Sequence, residues 1–494
     1  MSGADRGIIL LAMALGALSL GFRLGWQDLW WDEEVTLMFS RMSWRELMVE
    51  HWGLDTHRPV YYALQKLWNG VAGESMLALR ALPALITLLI VPVFYRIGRE
   101  IGGRPLAALA ALLLATAPMF VYQGRELRMY CLLNLCLALS LLFAIRLARN
   151  ALAERDGREV TGNGLLVLGF SLSLALAFYA QAITAVVAVL YALWVGLALG
   201  LGILPLRFLR VVLIGAGLFV LFSIPAIVPF FSHYTGTVGE NFWVPDPTPR
   251  YVYDQTLGTF PYPKWTKPPV YLLMIWGAWC LWRRQPAVGL LLLILVAGLP
   301  ALLLLISLSK PLFMTRVIAW SGFVSILLLA AGLSVLPSLW RWVGAALVTA
   351  AQFVHLASFY PSTPEISLYE IVTEALDSFK TSSDIIIIDS LMREPALRWF
   401  HPDIFNGTAY SFPLESHSTQ FLSPAFKSIV LLPSEVGVGP FSAERIFVLR
   451  SIDFGNYAPP NEDVQLAIER ILVGRDLVES AANSRLKIEI YALP

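Results

Sequence analysis

Arg6-Gly7-Ile8-Ile9-Leu10-Leu11-Ala12-Met13-Ala14-Leu15-Gly16-Ala17-Leu18-Ser19-Leu20-Gly21-Phe22-Arg23-Leu24-Gly25 places one cation ahead of an apolar run from Gly7 to Gly25. A helix crosses the hydrocarbon core with roughly 20 mostly apolar residues. The run has that length, and no small-residue cleavage pattern follows it, so it reads as an uncleaved signal anchor that stays as the first span. The rest of the chain agrees. Its 494 residues are 57% hydrophobic and only 14% charged, with a mean hydropathy of +0.66, too apolar for an ordinary soluble protein of this length. The chain is expected to be a polytopic membrane protein. A net charge of +1 leaves no concentrated basic excess, which excludes the electrostatic footprint of a nucleic-acid binder. Cys131, Cys136 and Cys280 all sit inside apolar runs, as small core or lipid-facing residues do, and not at the spacings of disulfides or metal ligands.

By the same length criterion about eleven spans are expected, near 7–25, 80–98, 105–122, 129–147, 164–180, 181–204, 209–231, 269–282, 287–308, 317–336 and 339–359. A cytoplasmic N-terminus puts Arg96, Arg99 and Arg104, then Arg146, Arg149, Arg155 and Arg158, then Arg207 and Arg210, then Arg283 and Arg284 on the cytoplasmic side, as the positive-inside rule requires. The outer side then holds a long first loop (26–79), a short one (123–128), a Pro- and aromatic-rich one (232–268), a tight one around Lys310, and the tail.

From about Ser362 the apolar runs shorten to strand length, at 384–389, 428–432, 445–449 and 486–490, between helical patterns near 366–380 and 461–478. That alternation predicts a small α/β domain outside the membrane. The expected fold is thus mainly α: a transmembrane helix bundle over 1–360 followed by a soluble extracytoplasmic α/β domain over 361–494.

The first outer loop is patterned for helix. Ser43-Trp44-Arg45-Glu46 has the form of a capping box, and Trp44, Leu47, Met48 and Trp52 fall on one face of the helix it would start. A second helix is expected from Pro59, with Val60, Tyr61, Leu64, Leu67, Trp68 and Val71 turned to an apolar surface. Together they would lie as a platform in the outer interface.

The centres of the expected spans are almost free of ionisable residues, where a proton- or ion-coupled transporter would carry its relay. Charge gathers instead at their outer ends: Asp32, Glu33 and Glu34, then Arg125, Glu126 and Arg128, then Lys310 and Arg316. Acids beside cations at a membrane surface suit chemistry on a lipid phosphate. A sugar leaving a polyprenyl phosphate needs positive charge on the departing phosphate and one carboxylate to take the acceptor's proton. Glycoside hydrolysis needs two carboxyl groups flanking the bond, and the neighbours Asp32 and Glu33 point apart on any helix or strand. Asp32 and Glu126 could meet only through the fold.

At these residues the chain resembles the polytopic GT-C glycosyltransferases, and in particular the bacterial family-39 group related to the protein O-mannosyltransferases and the aminoarabinose transferases. The resemblance is carried by Leu29-Trp30-Trp31-Asp32-Glu33, Thr56-His57-Arg58-Pro59-Val60-Tyr61-Tyr62, Gln123-Gly124-Arg125-Glu126-Leu127-Arg128-Met129-Tyr130 and Lys310-Pro311-Leu312-Phe313 with Arg316. It implies a glycosyltransferase of the bacterial plasma membrane that moves a monosaccharide from a polyprenyl-phosphate donor to a lipid, glycan or protein acceptor, inverting the anomeric centre. It implies that Asp32 is the base and Glu126 the second acid, orienting the site or holding a divalent cation, Mg or Mn. Arg128, Lys310 and Arg316 would face the donor phosphate, and Glu33, His57, Arg58, Tyr61, Tyr62 and Arg125 would complete the substrate-facing set. Where the group often carries His-Pro-Pro, this chain has His57-Arg58-Pro59, which adds a cation beside the histidine.

Plainer roles compete for the same residues. Asp32 could cap the following helix, with Glu33 and Glu34 favouring its N-terminal end. Trp30 and Trp31 could anchor the interface, Glu126 could pair with Arg125 or Arg128, Lys310 and Arg316 could reach to headgroups, and Tyr61 and Tyr62 could simply pack. His51 and His233 have no partners at metal-binding spacing. At the level of the whole chain, the rivals are a lipid-linked-sugar flippase or transporter and a non-catalytic scaffold for the C-terminal domain.

Overall fold

The structure is a computed structural model, describing residues 2–50, 57–237, 244–361, 370–394, 397–398, 401–413, 427–451, 462–482 and 486–494. His51, Trp52 and Thr56 lie outside the described residues, as does the side chain of His233.

The helices follow in chain order. They are α1 (Gly3–Gly21), α2 (Trp31–Arg41), α3 (Val60–Ala72), α4 (Met76–Leu88), α5 (Ile90–Ala115), α6 (Pro118–Arg125), α7 (Tyr130–Arg155), α8 (Asn163–Ala180) and α9 (Thr184–Gly200). Then come α10 (Phe208–Thr237), α11 (Pro249–Thr259), α12 (Lys267–Arg284), α13 (Pro286–Leu293), α14 (Leu299–Ser307), α15 (Thr315–Ser334) and α16 (Ser338–Ala357). A π-helical turn at Ile294–Gly298 joins α13 to α14. Among the described residues, seven helical segments are long and apolar enough to cross a membrane, the longest being Met76–Ala115. Each of the eleven stretches expected from sequence falls mainly on helix, but seven described segments, not eleven, have the length and apolarity of a span, two of the expected ones lying together in Met76–Ala115. The chain is a multi-pass membrane protein.

Residues 80–98 and 105–122 read as separate spans, and α5 shows why. Its backbone leaves the helical region at Gly102 and Gly103, the latter at φ 75°, a conformation glycine adopts without a side-chain clash. The chain reverses there: a Cβ on Gly98 would come within 2.6 Å of the Cα of Ala107, whereas nine residues of unbroken helix would separate the two by about 13 Å. The membrane core is packed mainly from α5, α7 and α15, whose residues Phe94, Leu109, Leu141, Phe323 and Leu327 are fully buried.

Ser43 and Glu46 form the expected capping box, Ser43 N–H donating to Glu46 Oε2 at 2.8 Å and Glu46 N–H to Ser43 Oγ at 3.2 Å. The turn that follows is π-helical over Glu46–Glu50. Leu47 is buried while Trp44 and Met48 are exposed, the division an interfacial helix needs.

The tail holds a six-stranded sheet of β1 (Asp384–Ile388), β2 (Ala409–Ser411), β3 (Ile429–Val430), β4 (Arg445–Ser451), β5 (Asp476–Ala482) and β6 (Leu486–Ala492), in the order β3-β2-β1-β4-β6-β5. The first four are parallel, with Ile386 opposite Ala409 on one side and Phe447 on the other, and β6 and β5 add on antiparallel. Alternate residues feed two cores. Ile386, Ile388, Phe447 and Leu449 pack under α17 (Glu370–Leu376), and Ile387, Ile446 and Val448 pack under α18 (Glu462–Ile471). The helix expected over 461–478 ends at Ile471, because Gly474 turns the chain at φ 80° and residues 476–482 pair with β6 instead.

Candidate active site

Helix α2 opens with Trp30 as N-cap, and Glu33 reaches back so that its Oε2 accepts the Trp30 N–H at 3.3 Å. Glu33 therefore takes the capping role considered for Asp32, and Asp32 turns elsewhere. Successive residues on a helix are about 100° apart, so Asp32 and Glu33 cannot serve one site.

Asp32 meets two guanidinium groups. Arg316 Nη1 donates to its Oδ2 at 2.5 Å, and Arg128 Nη2 lies 4.0 Å from the same oxygen. Arg128 also donates to the Asp32 carbonyl at 2.9 Å and to Thr36 Oγ1 at 3.1 Å, which locks it along the first turn of α2. Arg316 stands over the Trp30 ring, 5.6 Å from its centroid, within cation–π range. The backbone carrying Arg316 is tied into the bundle: Gln123 Nε2 donates to its carbonyl at 3.3 Å, and Asn134 Nδ2 holds the Gln123 side chain at 2.6 Å.

Glu126 completes the cluster. It is half-buried, and its Oε2 is enclosed without a hydrogen-bond partner. Burial above all, with Glu33 and Asp32 adding to it and Arg316 and Arg128 opposing it, pushes its carboxyl up to about 8. Such a group is protonated at neutral pH and becomes an anion as pH rises through that value, or when positive charge is added beside it or negative charge leaves. Tyr130, buried at the start of α7, lies in the same field as Asp32, Glu126, Arg128 and Arg316. In the sequence this tyrosine stands only as the last residue of the 123–130 stretch.

The remaining expected residues divide. Glu33 is sealed: Arg80 grips it through two bonds, Nε to Oε1 at 3.1 Å and Nη2 to Oε2 at 2.6 Å, and Leu127 N–H donates to Oε1 at 2.8 Å. Arg80 also bonds the carbonyls of Gln27 and Asp28. This is a brace under α2, in place of the substrate contact expected of Glu33. Arg80 was missed in the sequence, although a lone arginine at the head of an apolar run signals a buried partner. Arg125 likewise spends its guanidinium on structure, donating to the carbonyls of Leu20 at 2.8 Å, Phe22 at 2.5 Å and Arg23 at 3.0 Å, and so closes the C-terminal end of α1. Tyr61 and Tyr62 are buried on α3, with Tyr62 packed 5.1 Å from the ring of Phe39. Arg58 is buried and His57 half-buried just before α3. Lys310 is half-buried in the turn after α14, its N–H bonded to Ile306 O at 3.1 Å.

Residues 56–221 match the protein family described as dolichyl-phosphate-mannose-protein mannosyltransferase. A comparison with curated proteins by sequence finds no match. Among solved structures the chain is similar to ArnT from Cupriavidus metallidurans bound to undecaprenyl phosphate, at a TM-score of 0.63 and 13% identity over 99% of this chain and 98% of that one. It is also similar to the archaeal oligosaccharyltransferase AglB from Archaeoglobus fulgidus in complex with an inhibitory peptide and a dolichol-phosphate, at a TM-score of 0.55 and 12% identity, covering 81% of this chain and 64% of that one. This multi-pass membrane chain has the GT-C glycosyltransferase fold.

Proposed function

We propose that the chain transfers a monosaccharide from a polyprenyl-phosphate donor to a lipid, glycan or protein acceptor at the outer face of a bacterial plasma membrane, with the C-terminal sheet on that side. The observation that carries this reading is the convergence of Arg128 and Arg316 on Asp32. Two fixed guanidiniums beside one carboxylate are what a displacement at a phosphate-linked sugar requires. The solved structures named above bind undecaprenyl phosphate and dolichol-phosphate, which supports a donor of that class here.

The steps balance simply. A donor phosphate reaching Arg316 and Arg128 competes with Asp32 for their N–H groups and so loosens the carboxylate. Asp32 then accepts the proton of the acceptor hydroxyl. The acceptor oxygen forms its bond to the anomeric carbon from the face opposite the phosphate, and the anomeric carbon–oxygen bond breaks with its electron pair going to the polyprenyl phosphate. The two arginines stabilise that leaving dianion, and the configuration inverts.

A divalent cation would have to share this space. Among the described residues no three His, Cys, Asp or Glu side chains converge to hold a metal ion, and the two arginines already supply positive charge at Asp32.

The test is native mass spectrometry of the purified protein beside its Asp32→Asn variant. A polyprenyl-phosphate sugar that accumulates in the variant, with transfer abolished and the fold kept, supports the reading. Full transfer by Asp32→Asn removes Asp32 as base, and absence of any polyprenyl lipid from both proteins removes the donor. A lipid held equally by both, with no transfer to any acceptor hydroxyl, would favour a flippase.

A further inference from the structure

Helix α15 begins without a cap of its own. Its N-cap residue is Met314, whose side chain makes no capping bond; the sulfur instead accepts Arg316 Nε at 3.0 Å. The first N–H groups of a helix have no acceptor within it, and here the acceptor comes from another element. Gln255, on α11 in the Pro- and aromatic-rich outer loop, places its Oε1 2.7 Å from the Thr315 nitrogen and 2.9 Å from Thr315 Oγ1. Its carbonyl lies 3.0 Å from the same hydroxyl. A glutamine 60 residues away in the chain thus does for α15 what Ser, Thr, Asp or Asn usually does at the N-cap itself. The residue after Thr315 is Arg316.

Helix α11 is seated closely enough to hold that position. A Cβ on Gly258 would come within 2.7 Å of Thr315 Oγ1, and one on Gly322, two turns further along α15, would come within 2.7 Å of the carbonyl oxygen of Thr259. The two helices therefore meet at both points without room for a side chain. Just past α11 the chain is tied to the bundle again. Gln352 of α16, fully buried, donates from its Nε2 to Tyr262 Oη at 3.3 Å and to Leu113 O at 3.2 Å, while Thr116 Oγ1 donates to its Oε1 at 2.6 Å. Arg316 is thus fixed from two sides: Gln123 of α6 holds its carbonyl, and Gln255 of α11 holds the end of its helix.

We propose that Gln255 is a positioning residue for the transfer reaction: by capping α15 through Thr315 it sets the first turn of that helix, and with it the direction in which Arg316 presents its guanidinium beside Asp32. An outer loop is used in this way to aim a cation carried by a membrane helix. The catalytic consequence rests on Arg316 facing the leaving phosphate; the cap itself does not.

The experiment measures donor KM and kcat of the full-length protein together with hydrogen exchange at the Thr315 amide, located by fragmentation mass spectrometry. Gln255→Ala removes the acceptor and should speed that exchange about tenfold or more. A misplaced catalytic group costs up to about 10²-fold in rate, so kcat should fall by between about tenfold and 10²-fold. Donor KM should stay within about twofold, because the lost interaction is one made in the transition state. Thr315→Val keeps the shape and loses the hydroxyl, and should lower kcat in the same direction; Thr315→Ser should return it to the wild-type value. Gln255→Glu keeps an oxygen acceptor and should restore protection of Thr315. Arg316→Ala separates positioning from a merely structural role: in that background Gln255→Ala should lower kcat no further, since residues that act through one group are not additive. A full additional loss there, or wild-type kcat in Gln255→Ala with Thr315 unprotected, overturns the positioning role. Wild-type protection of Thr315 in Gln255→Ala overturns the cap itself. Should Gln255→Ala fail to fold, Thr315→Val and Thr315→Ser decide by the same kcat readings. A protein without transferase activity, in which Gln255→Ala still frees the Thr315 amide, keeps the cap and discards the reading of Arg316 on which the catalytic role rests.

Discussion

Asp32 and Arg316 are 284 residues apart in the chain and 2.5 Å apart in space. The first turn of α2 and the first turn of α15 come together so that a carboxylate and a guanidinium meet beside a second guanidinium, Arg128. Removing Arg316 should leave Asp32 more mobile and the leaving phosphate half-neutralised. Loss of one donor that stabilises developing charge costs on the order of 10²–10³-fold in rate. Arg316→Ala should fall in that range in kcat, and Arg316→Lys should fall less, because a point charge remains without the forked geometry. Single-turnover transfer from donor-loaded protein measures it; wild-type rates in Arg316→Ala would remove the arginine from the reaction.

Glu33 and Arg80 predict a stability effect of a different kind. Both are almost fully buried, and together they tie α2 to α4, to the 27–28 backbone and to Leu127. Breaking a buried pair by deleting one partner leaves an uncompensated charge and costs about 3–5 kcal/mol. Arg80→Ala should therefore lower the thermal midpoint in detergent sharply. The double variant Arg80→Met with Glu33→Gln should recover part of the loss, which a pair of substrate contacts would not do.

Arg125 separates capping from substrate binding. Three carbonyls at and just beyond the end of α1 accept its N–H groups, and hydrogen bonds involving a charged group contribute about 1.5–3 kcal/mol. Arg125→Ala should be destabilised on that scale with donor KM unchanged in the protein that remains folded. A tenfold rise in KM without loss of stability would return Arg125 to the substrate-facing set.

The division between what sequence shows and hides runs along these same residues. Spans are legible because burial in lipid demands unbroken apolar runs, and the Gly102-Gly103 reversal is marked by the only residue type that bends there freely. Asp32, Glu126, Arg128 and Arg316 were legible as charges at the ends of apolar runs. Glu33 and Arg125 carry the same signal and do something else, since a sequence displays a charge without its partner. The strand Asp476–Ala482 is largely exposed on both faces, so it lacks the alternation that betrays a strand, and Ala409–Ser411 is too short to show any.

The two raised carboxyls set a pH dependence. Glu34 and Glu126 both move from 4.5 to about 8 on folding, chiefly by burial. A group whose folded value lies above its unfolded one contributes stability that is complete below the unfolded value and is lost as pH rises through the folded one. The folded protein therefore takes up protons, and its thermal midpoint should decline from pH 5 to pH 8. Glu34→Gln and Glu126→Gln should each flatten that decline, since a neutral amide has nothing to ionise. An unchanged slope in both variants would mean that neither carboxyl is held protonated.

Helices α12 and α15 cross with their backbones in close approach, and the crossing depends on two glycines. A Cβ on Gly277 would overlap the carbonyl oxygen of Leu328, and one on Gly332 would overlap that of Leu273. Small residues let helix backbones approach in membranes, where packing replaces the hydrophobic drive between helices. The obstruction is backbone, which cannot rotate aside as a side chain can. Gly277→Ala must therefore push α12 away from α15, and α15 carries Arg316 on its first turn. Gly277→Ala and Gly332→Ala should each lower the thermal midpoint and reduce kcat together, although neither residue touches the Asp32 cluster. Gly344→Ala is the control. A Cβ there meets only the Leu333 side chain, at 2.7 Å, which can shift, so this variant should retain both stability and activity. Equal behaviour of all three alanine variants would show that the crossing yields without cost and that Arg316 is placed by its own loop.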